Sequence, residues 1–118
     1  MSPTIVLDPS HEPFLVLGAA GGPTIITAVA QVILNVVDQH MSLADAMYAP
    51  RVHDQAWPDS LEFERGGLTT SAEDSLRQMG HHLDPVGSLT NVNALMRDGR
   101  GGWVGVFEPR ATGEAAGY

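Results

Sequence analysis

The best candidates for a chemical role are two adjacent glycines, Gly21 and Gly22, in the stretch GAAGGPTII at residues 18–26. The apolar run FLVL at residues 14–17 precedes them and is short enough to be a buried strand. Glycine has no Cβ, so its backbone N–H group can approach a ligand closely. A helix that begins directly afterwards adds amides without partners and a partial positive charge. The pattern therefore indicates a place where negative charge can be bound.

Two chemical roles and one structural role fit this turn. Backbone amides at a helix start can bind phosphate, or they can stabilise the oxyanion of an acyl-transfer reaction. A P-loop is excluded because no lysine follows Gly22, and the glycine spacing is not the G-x-G-x-x-G of dinucleotide-binding proteins. The third interpretation is a tight strand-to-helix turn without any chemistry.

Other combinations of reactive side chains give weaker hypotheses. Histidine and aspartate ligands for a metal ion could come from His81, His82 and Asp84, or from His53 and Asp54. Adjacent histidines on a strand point to opposite faces, and no His-x-x-x-His pair exists, so we predict neither a metal site nor a cofactor. A Ser-His-Asp triad lacks support because the sequence has no G-x-S-x-G elbow.

The composition of the chain excludes several classes of binding partner and of reactive group. The net charge of −8 argues against nucleic acid, whose phosphates would be repelled, and the absence of cysteine excludes disulfides and a cysteine nucleophile. The sequence has no apolar run of 18 residues that could span a membrane, and no signal peptide is visible at Met1. In so acidic a chain, we expect Arg51 to form a structural ion pair with a carboxylate rather than to bind substrate.

The hydrophobic pattern predicts the elements that position the glycine turn. Residues 4–7 and 14–17 are typical of two strands in a hairpin, and residues 24–38 of a helix with a broad apolar face. Further along, the pattern predicts a helix at 43–48 capped by Ser42, a polar loop at 51–59 and a strand at 61–64. It then predicts a helix capped by Thr70 or Ser71 that runs to about Met79, a short strand at 82–86, and a hairpin of 92–97 with 103–107. This order indicates one α+β domain over residues 1–118.

Several segments together resemble the C-terminal part of the γ-glutamyltransferase family, whose members are also called glutathione hydrolases. The segment MSPTIV at residues 1–6 is similar to the family's M-S-P-T-I, and residues 18–26 resemble its G-S-P-G-G-x-x-I-I. The match continues in the same order at residues 35–38, 44–46 and 49–53, and at the closing EPR of 108–110 and AAGY of 115–118. The resemblance covers essentially the whole chain.

The resemblance implies the fold of an N-terminal-nucleophile hydrolase, an αββα sandwich. In that family a precursor cuts itself into a large and a small subunit, and the new N-terminal threonine attacks the γ-glutamyl amide of substrates such as glutathione. The acyl-enzyme then passes to water or to an amine acceptor. Gly21 and Gly22 match the paired glycines whose amides form the oxyanion hole. Ala19 and Ala20 stand where the family usually has Ser-Pro, which changes the stiffness of the loop but not its amide donors.

The family's other catalytic parts would precede Met1. These are the catalytic threonine, a substrate-binding Ser-Ser pair, and the large subunit with its arginine for the substrate's α-carboxylate. We therefore expect a small-subunit fragment that is inactive alone and that needs the large subunit or an upstream segment of the same precursor. The alternative is a non-catalytic folded remnant that acts only through binding or oligomerisation. Because strand edges would be uncovered, we also expect the chain to form a homo-oligomer.

Overall fold

A computed structural model describes residues 3–117 of the chain. Among these residues, the larger of two units comprises 3–48 and 90–117, and the smaller one comprises Ala49–Leu89. The assignment of residues 1–118 to a single domain stays a prediction.

The described residues form both helices and strands, which confirms the α+β class. In chain order the elements are β1 (Thr4–Leu7), β2 (Pro13–Ala20), α1 (Thr24–Val37), α2 (Leu43–Tyr48), β3 (Val52–His53), β4 (Leu61–Glu64), α3 (Thr70–Gln78), β5 (Leu83–Val86), β6 (Asn91–Arg97) and β7 (Trp103–Gly105). The helix and strand predictions are confirmed to within a few residues, including the two hairpins β1–β2 and β6–β7.

Two details of the predicted elements are wrong. The loop predicted at residues 51–59 contains the short strand β3, because Val52 pairs with Phe63 of β4, and a two-residue strand leaves no periodicity to detect. The N-terminal cap of α3 is Thr69 rather than Thr70 or Ser71. Thr69 has an extended backbone, and its hydroxyl accepts the N–H of Ala72 at 3.2 Å, so it satisfies a free amide of the first turn.

The larger unit is built on a four-stranded antiparallel sheet with the order β1-β2-β6-β7. Alternate residues of β2 are buried and belong to one core with buried residues of α1 and α2. Ala20, the last residue of β2, pairs with Asn91, the first residue of β6. The register therefore brings the start of β6 beside the glycine turn.

The smaller unit has a three-stranded sheet with the order β3-β4-β5, in which β4 runs antiparallel to β3 and parallel to β5. The carboxylate of Glu64 accepts the backbone N–H of Arg51 at 2.9 Å and that of Leu89 at 2.6 Å. Arg51 is 2% exposed, and its Nη1 donates to the Leu89 carbonyl at 3.2 Å. Arg51 thus lies in a buried structural network with Glu64 and Leu89. The ion pair expected between its side chain and a carboxylate stays a prediction.

The longest described helix is α1, with 14 residues. No helix among residues 3–117 combines the length and the apolar character needed to cross a bilayer.

Candidate functional site

Gly21 and Gly22 form the turn between β2 and α1 with backbone angles that other residues rarely adopt. Their φ angles are 152° and 69°, and both residues are exposed. A Cβ on Gly21 would overlap the hydroxyl of Thr90, whereas a Cβ on Gly22 would meet nothing within 4 Å. Gly21 is therefore required by both space and backbone conformation, and Gly22 by conformation alone.

The glycine turn presents two backbone donors. Over residues 3–117, the N–H groups of Gly21 and Gly22 donate to no acceptor. Pro23 has no N–H group. Beyond Thr24, the N–H of Ile25 donates to the Gly22 carbonyl at 3.3 Å, and that of Ile26 to the Pro23 carbonyl at 3.4 Å. The first turn of α1 has no acidic residue to neutralise the positive end of the helix dipole. The turn can therefore stabilise a negative charge placed beside the two glycine amides.

Two threonines contact this turn from different elements. The hydroxyl of Thr24, the first residue of α1, donates to the Gly21 carbonyl at 2.8 Å. The same hydroxyl forms a hydrogen bond with that of Thr90, which directly precedes β6. Thr90 has a φ of 46°, a rare conformation for a β-branched residue. The sequence alone does not indicate this contact, because the two threonines are 66 residues apart in the chain.

A buried carboxylate anchors the start of β6. Glu108 is 5% exposed, and its Oε2 accepts the backbone N–H of Val92 at 2.9 Å. Its Oε1 accepts the Nη1 of Arg110 at 3.0 Å, and the same Nη1 donates to the Met47 carbonyl at 2.9 Å. The resemblance identifies the EPR segment only as a closing motif, and the bonds of Glu108 to Val92 and Arg110 are visible only in the structure.

The alternative candidates do not assemble into a site. His81 and Asp54 are both exposed, with Nδ1 and Oδ2 3.8 Å apart, and His81 precedes β5 rather than lying in it. His53 is buried, and its Nε2 lies 3.1 Å from Oε1 of Gln55. In the part of the chain that the structure describes, no three histidine, aspartate or glutamate side chains are grouped to hold a metal ion.

Comparison with known sequences gives a family and several relatives. The family model described as gamma-glutamyltranspeptidase matches residues 1–118. The glutathione hydrolase proenzyme of Escherichia coli K12 is 34% identical over 119 residues, which cover 100% of this chain and 20% of that protein. The glutathione hydrolase proenzyme of Arthroderma benhamiae is 34% identical over 108 residues, which cover 92% of this chain and 18% of that protein. The chain thus spans about a fifth of the length of these relatives.

Solved structures show the same fold. Gamma-glutamyltranspeptidase from Pseudomonas nitroreducens in complex with L-DON is 35% identical, with a TM-score of 0.86 over 100% of this chain and 62% of that chain. A mutant of the Helicobacter pylori enzyme is 40% identical, with a TM-score of 0.86 over 94% of this chain and 61% of that chain. These neighbours have the N-terminal-nucleophile hydrolase fold, so that prediction is confirmed. From its sequence and its fold, the chain belongs to the gamma-glutamyltranspeptidase family.

Proposed function

We propose that this chain is the C-terminal portion of the small subunit of a γ-glutamyl acyltransferase or hydrolase, and that Gly21 and Gly22 form its oxyanion hole. The observation that carries the proposal is the pair of exposed glycine amides without an acceptor among residues 3–117. In acyl transfer the substrate's carbonyl oxygen becomes negative when the nucleophile adds, and fixed N–H donors lower the energy of that state. Family membership favours this role over phosphate binding.

The proposed reaction begins outside the chain, at the hydroxyl of an N-terminal threonine. That hydroxyl adds to the γ-carbonyl of a γ-glutamyl amide such as glutathione, and the amides of Gly21 and Gly22 stabilise the resulting oxyanion. Collapse of the intermediate breaks the C–N bond, and the proton of the threonine hydroxyl passes to the departing nitrogen. An amine is released and an acyl-enzyme remains, which water or an amine acceptor then resolves. The nucleophile and the remaining substrate contacts come from the large subunit or an upstream segment of the same precursor. The relatives named as proenzymes, of which this chain spans about a fifth, support that division of roles.

A chimeric enzyme tests the proposal. In it, this chain replaces the 119 matching residues of the Escherichia coli proenzyme. We expect the purified chimera to release p-nitroaniline from γ-glutamyl-p-nitroanilide, and the 118-residue chain alone to release none, because only the chimera has the threonine nucleophile. The measurement is initial rate against substrate concentration.

The controls separate the parts of this proposal. Turnover by the isolated chain that persists when Gly21 and Gly22 are both replaced by proline is contamination. Turnover by the isolated chain that this double replacement abolishes would contradict an external nucleophile. A chimera that folds and is soluble but has no activity would contradict the acyl-transfer role and leave the non-catalytic alternative.

The edge of the larger sheet favours self-association of the isolated chain. Strand β1 is at one end of the strand order, and Ile5 and Leu7 on it are 60% and 50% exposed. An exposed apolar edge is a template for pairing with a second strand. We therefore propose that the isolated chain forms a dimer in which two copies of β1 pair about a two-fold axis.

Light scattering at micromolar concentration measures this association. We expect a dimer mass for the unmodified chain, and a shift toward the monomer for Ile5→Lys, since a charge on an edge strand opposes pairing. Tyr48→Lys is the matched control, because Tyr48 is 52% exposed and lies on α2, away from the sheet edge. A monomer for the unmodified chain would show that the edge does not pair.

A further inference from the structure

We propose that Thr24 and Thr90, here called the threonine pair, are positioning residues that aim the N–H group of Gly22. The inference rests on the proposed function for its catalytic consequence, but its structural part stands on the contacts alone. Those contacts are the bond from Thr24 to the Gly21 carbonyl and the bond between the two threonine hydroxyls.

The planarity of the peptide bond connects the Gly21 carbonyl to the Gly22 donor. The carbonyl of Gly21 and the N–H of Gly22 belong to the same peptide unit, and in a trans peptide they point in opposite directions. The bond of 2.8 Å from the Thr24 hydroxyl fixes the direction of that carbonyl. It therefore also fixes the direction of the Gly22 N–H, which glycine's conformational freedom would otherwise leave undetermined.

The number of protons available decides which hydroxyl of the threonine pair is the donor. A hydroxyl has one proton to donate, and Thr24 donates it to the Gly21 carbonyl. Either hydroxyl could donate in the bond between them, so with the Thr24 proton on the Gly21 carbonyl we assign Thr90 as the donor and Thr24 as the acceptor. The chain of bonds runs from Thr90 through Thr24 to Gly21, so Thr90 orients the hydroxyl that orients the peptide.

Thr90 has an unfavourable backbone conformation that the surrounding structure holds in place. A φ of 46° is unfavourable for a β-branched residue, and such outliers persist where the surrounding structure holds them. The hydroxyl of Thr90 occupies the space that a Cβ on Gly21 would need. Two residues later, the N–H of Val92 donates to the buried carboxylate of Glu108. The start of β6 is therefore held tightly enough to keep Thr90 against the turn.

The Thr24 hydroxyl is not used as a helix cap. Helix α1 has Pro23 at its N-cap position and no side-chain hydrogen bond to its first amides. A threonine at the N-cap position stabilises a helix by accepting from those amides, but Thr24 is one position further on, at the first residue of α1. Here the hydroxyl points back to the turn, so its bond serves the glycine peptide rather than the helix.

Thr24→Val tests the inference in two preparations, the isolated chain and the chimeric enzyme. In the isolated chain, we expect the NMR order parameter of the Gly22 N–H to fall from about 0.85 to below about 0.6, because the peptide can rotate. In the chimera, we expect kcat to fall about 10- to 100-fold with KM changed less than about twofold, since a misaimed donor loses part of its effect in the transition state. Thr24→Ser keeps the hydroxyl and should restore both values.

A matched control and a second variant make the outcome decisive. Ser75→Ala removes another hydroxyl-to-carbonyl bond, the one of 2.9 Å inside α3, and should change neither value. If Thr24→Val fails to fold, Thr90→Val carries the same test, because it removes the first bond of the chain. A wild-type order parameter for Gly22 in a folded variant would overturn the inference. A lowered order parameter with unchanged kcat would support the positioning and contradict the oxyanion role.

Discussion

Replacement of Gly22 by proline in the chimeric enzyme is expected to lower kcat for γ-glutamyl-p-nitroanilide by about 10²–10³-fold, with a much smaller change in KM. Loss of one oxyanion donor lowers kcat by about this factor in other acyl-transfer sites, because the donor stabilises the transition state more than the bound substrate. Proline removes the N–H of residue 22 and also opposes the φ of 69° found there. Steady-state kinetics, with circular dichroism to verify folding, measure the effect.

Gly22→Ala is the control that separates the donor from the backbone. Alanine keeps the N–H and finds open space for its Cβ, but it has the same unfavourable φ at a cost of about 1–2 kcal/mol. We expect it to lower the melting temperature while leaving kcat close to that of the unmodified chimera. If Gly22→Pro folds normally and also keeps full kcat, the two glycines only turn the chain.

Local elements could be predicted from the sequence because their signals lie within a few residues. The start of α2 is an example: the N–H of Asp45 donates to the Ser42 hydroxyl at 3.1 Å, and that hydroxyl donates to the Asp45 carboxylate at 2.7 Å. Both groups belong to one turn, so spacing alone predicts the cap. The apolar face of α1 is similar, since its buried residues recur at helical spacing.

The support of the glycine turn could not be predicted, because it depends on register between distant segments. The contact of Thr90 with Thr24 exists only because β6 pairs with β2 at Ala20 and Asn91. The bond from Val92 to Glu108 likewise joins two segments whose separate patterns give no sign of it. The glycines could be selected as a candidate site from their own chemistry, but the residues that hold them required the structure.

Glu108→Ala is expected to destabilise the larger unit by about 3–5 kcal/mol. The change removes the acceptor of the buried Val92 amide and leaves the Arg110 guanidinium, whose side chain is only 9% exposed, without its carboxylate partner. When a buried donor or a buried charge loses its partner, the free energy of unfolding falls by far more than the net contribution of the intact pair. Trp103 on β7 reports the unfolding of this unit by fluorescence when Trp57, which is 87% exposed in the smaller unit, is replaced by phenylalanine.

Two further variants make the measurement specific to the buried carboxylate. Glu114→Ala removes the same side chain at an exposed position and should shift the free energy of unfolding by less than about 0.5 kcal/mol. Glu108→Gln keeps one of the two acceptor oxygens but loses the negative charge, so its effect should fall between the two. A denaturant midpoint for Glu108→Ala equal to that of Glu114→Ala would contradict the anchoring role. The start of β6, and with it Thr90, would then have to be held by strand pairing alone.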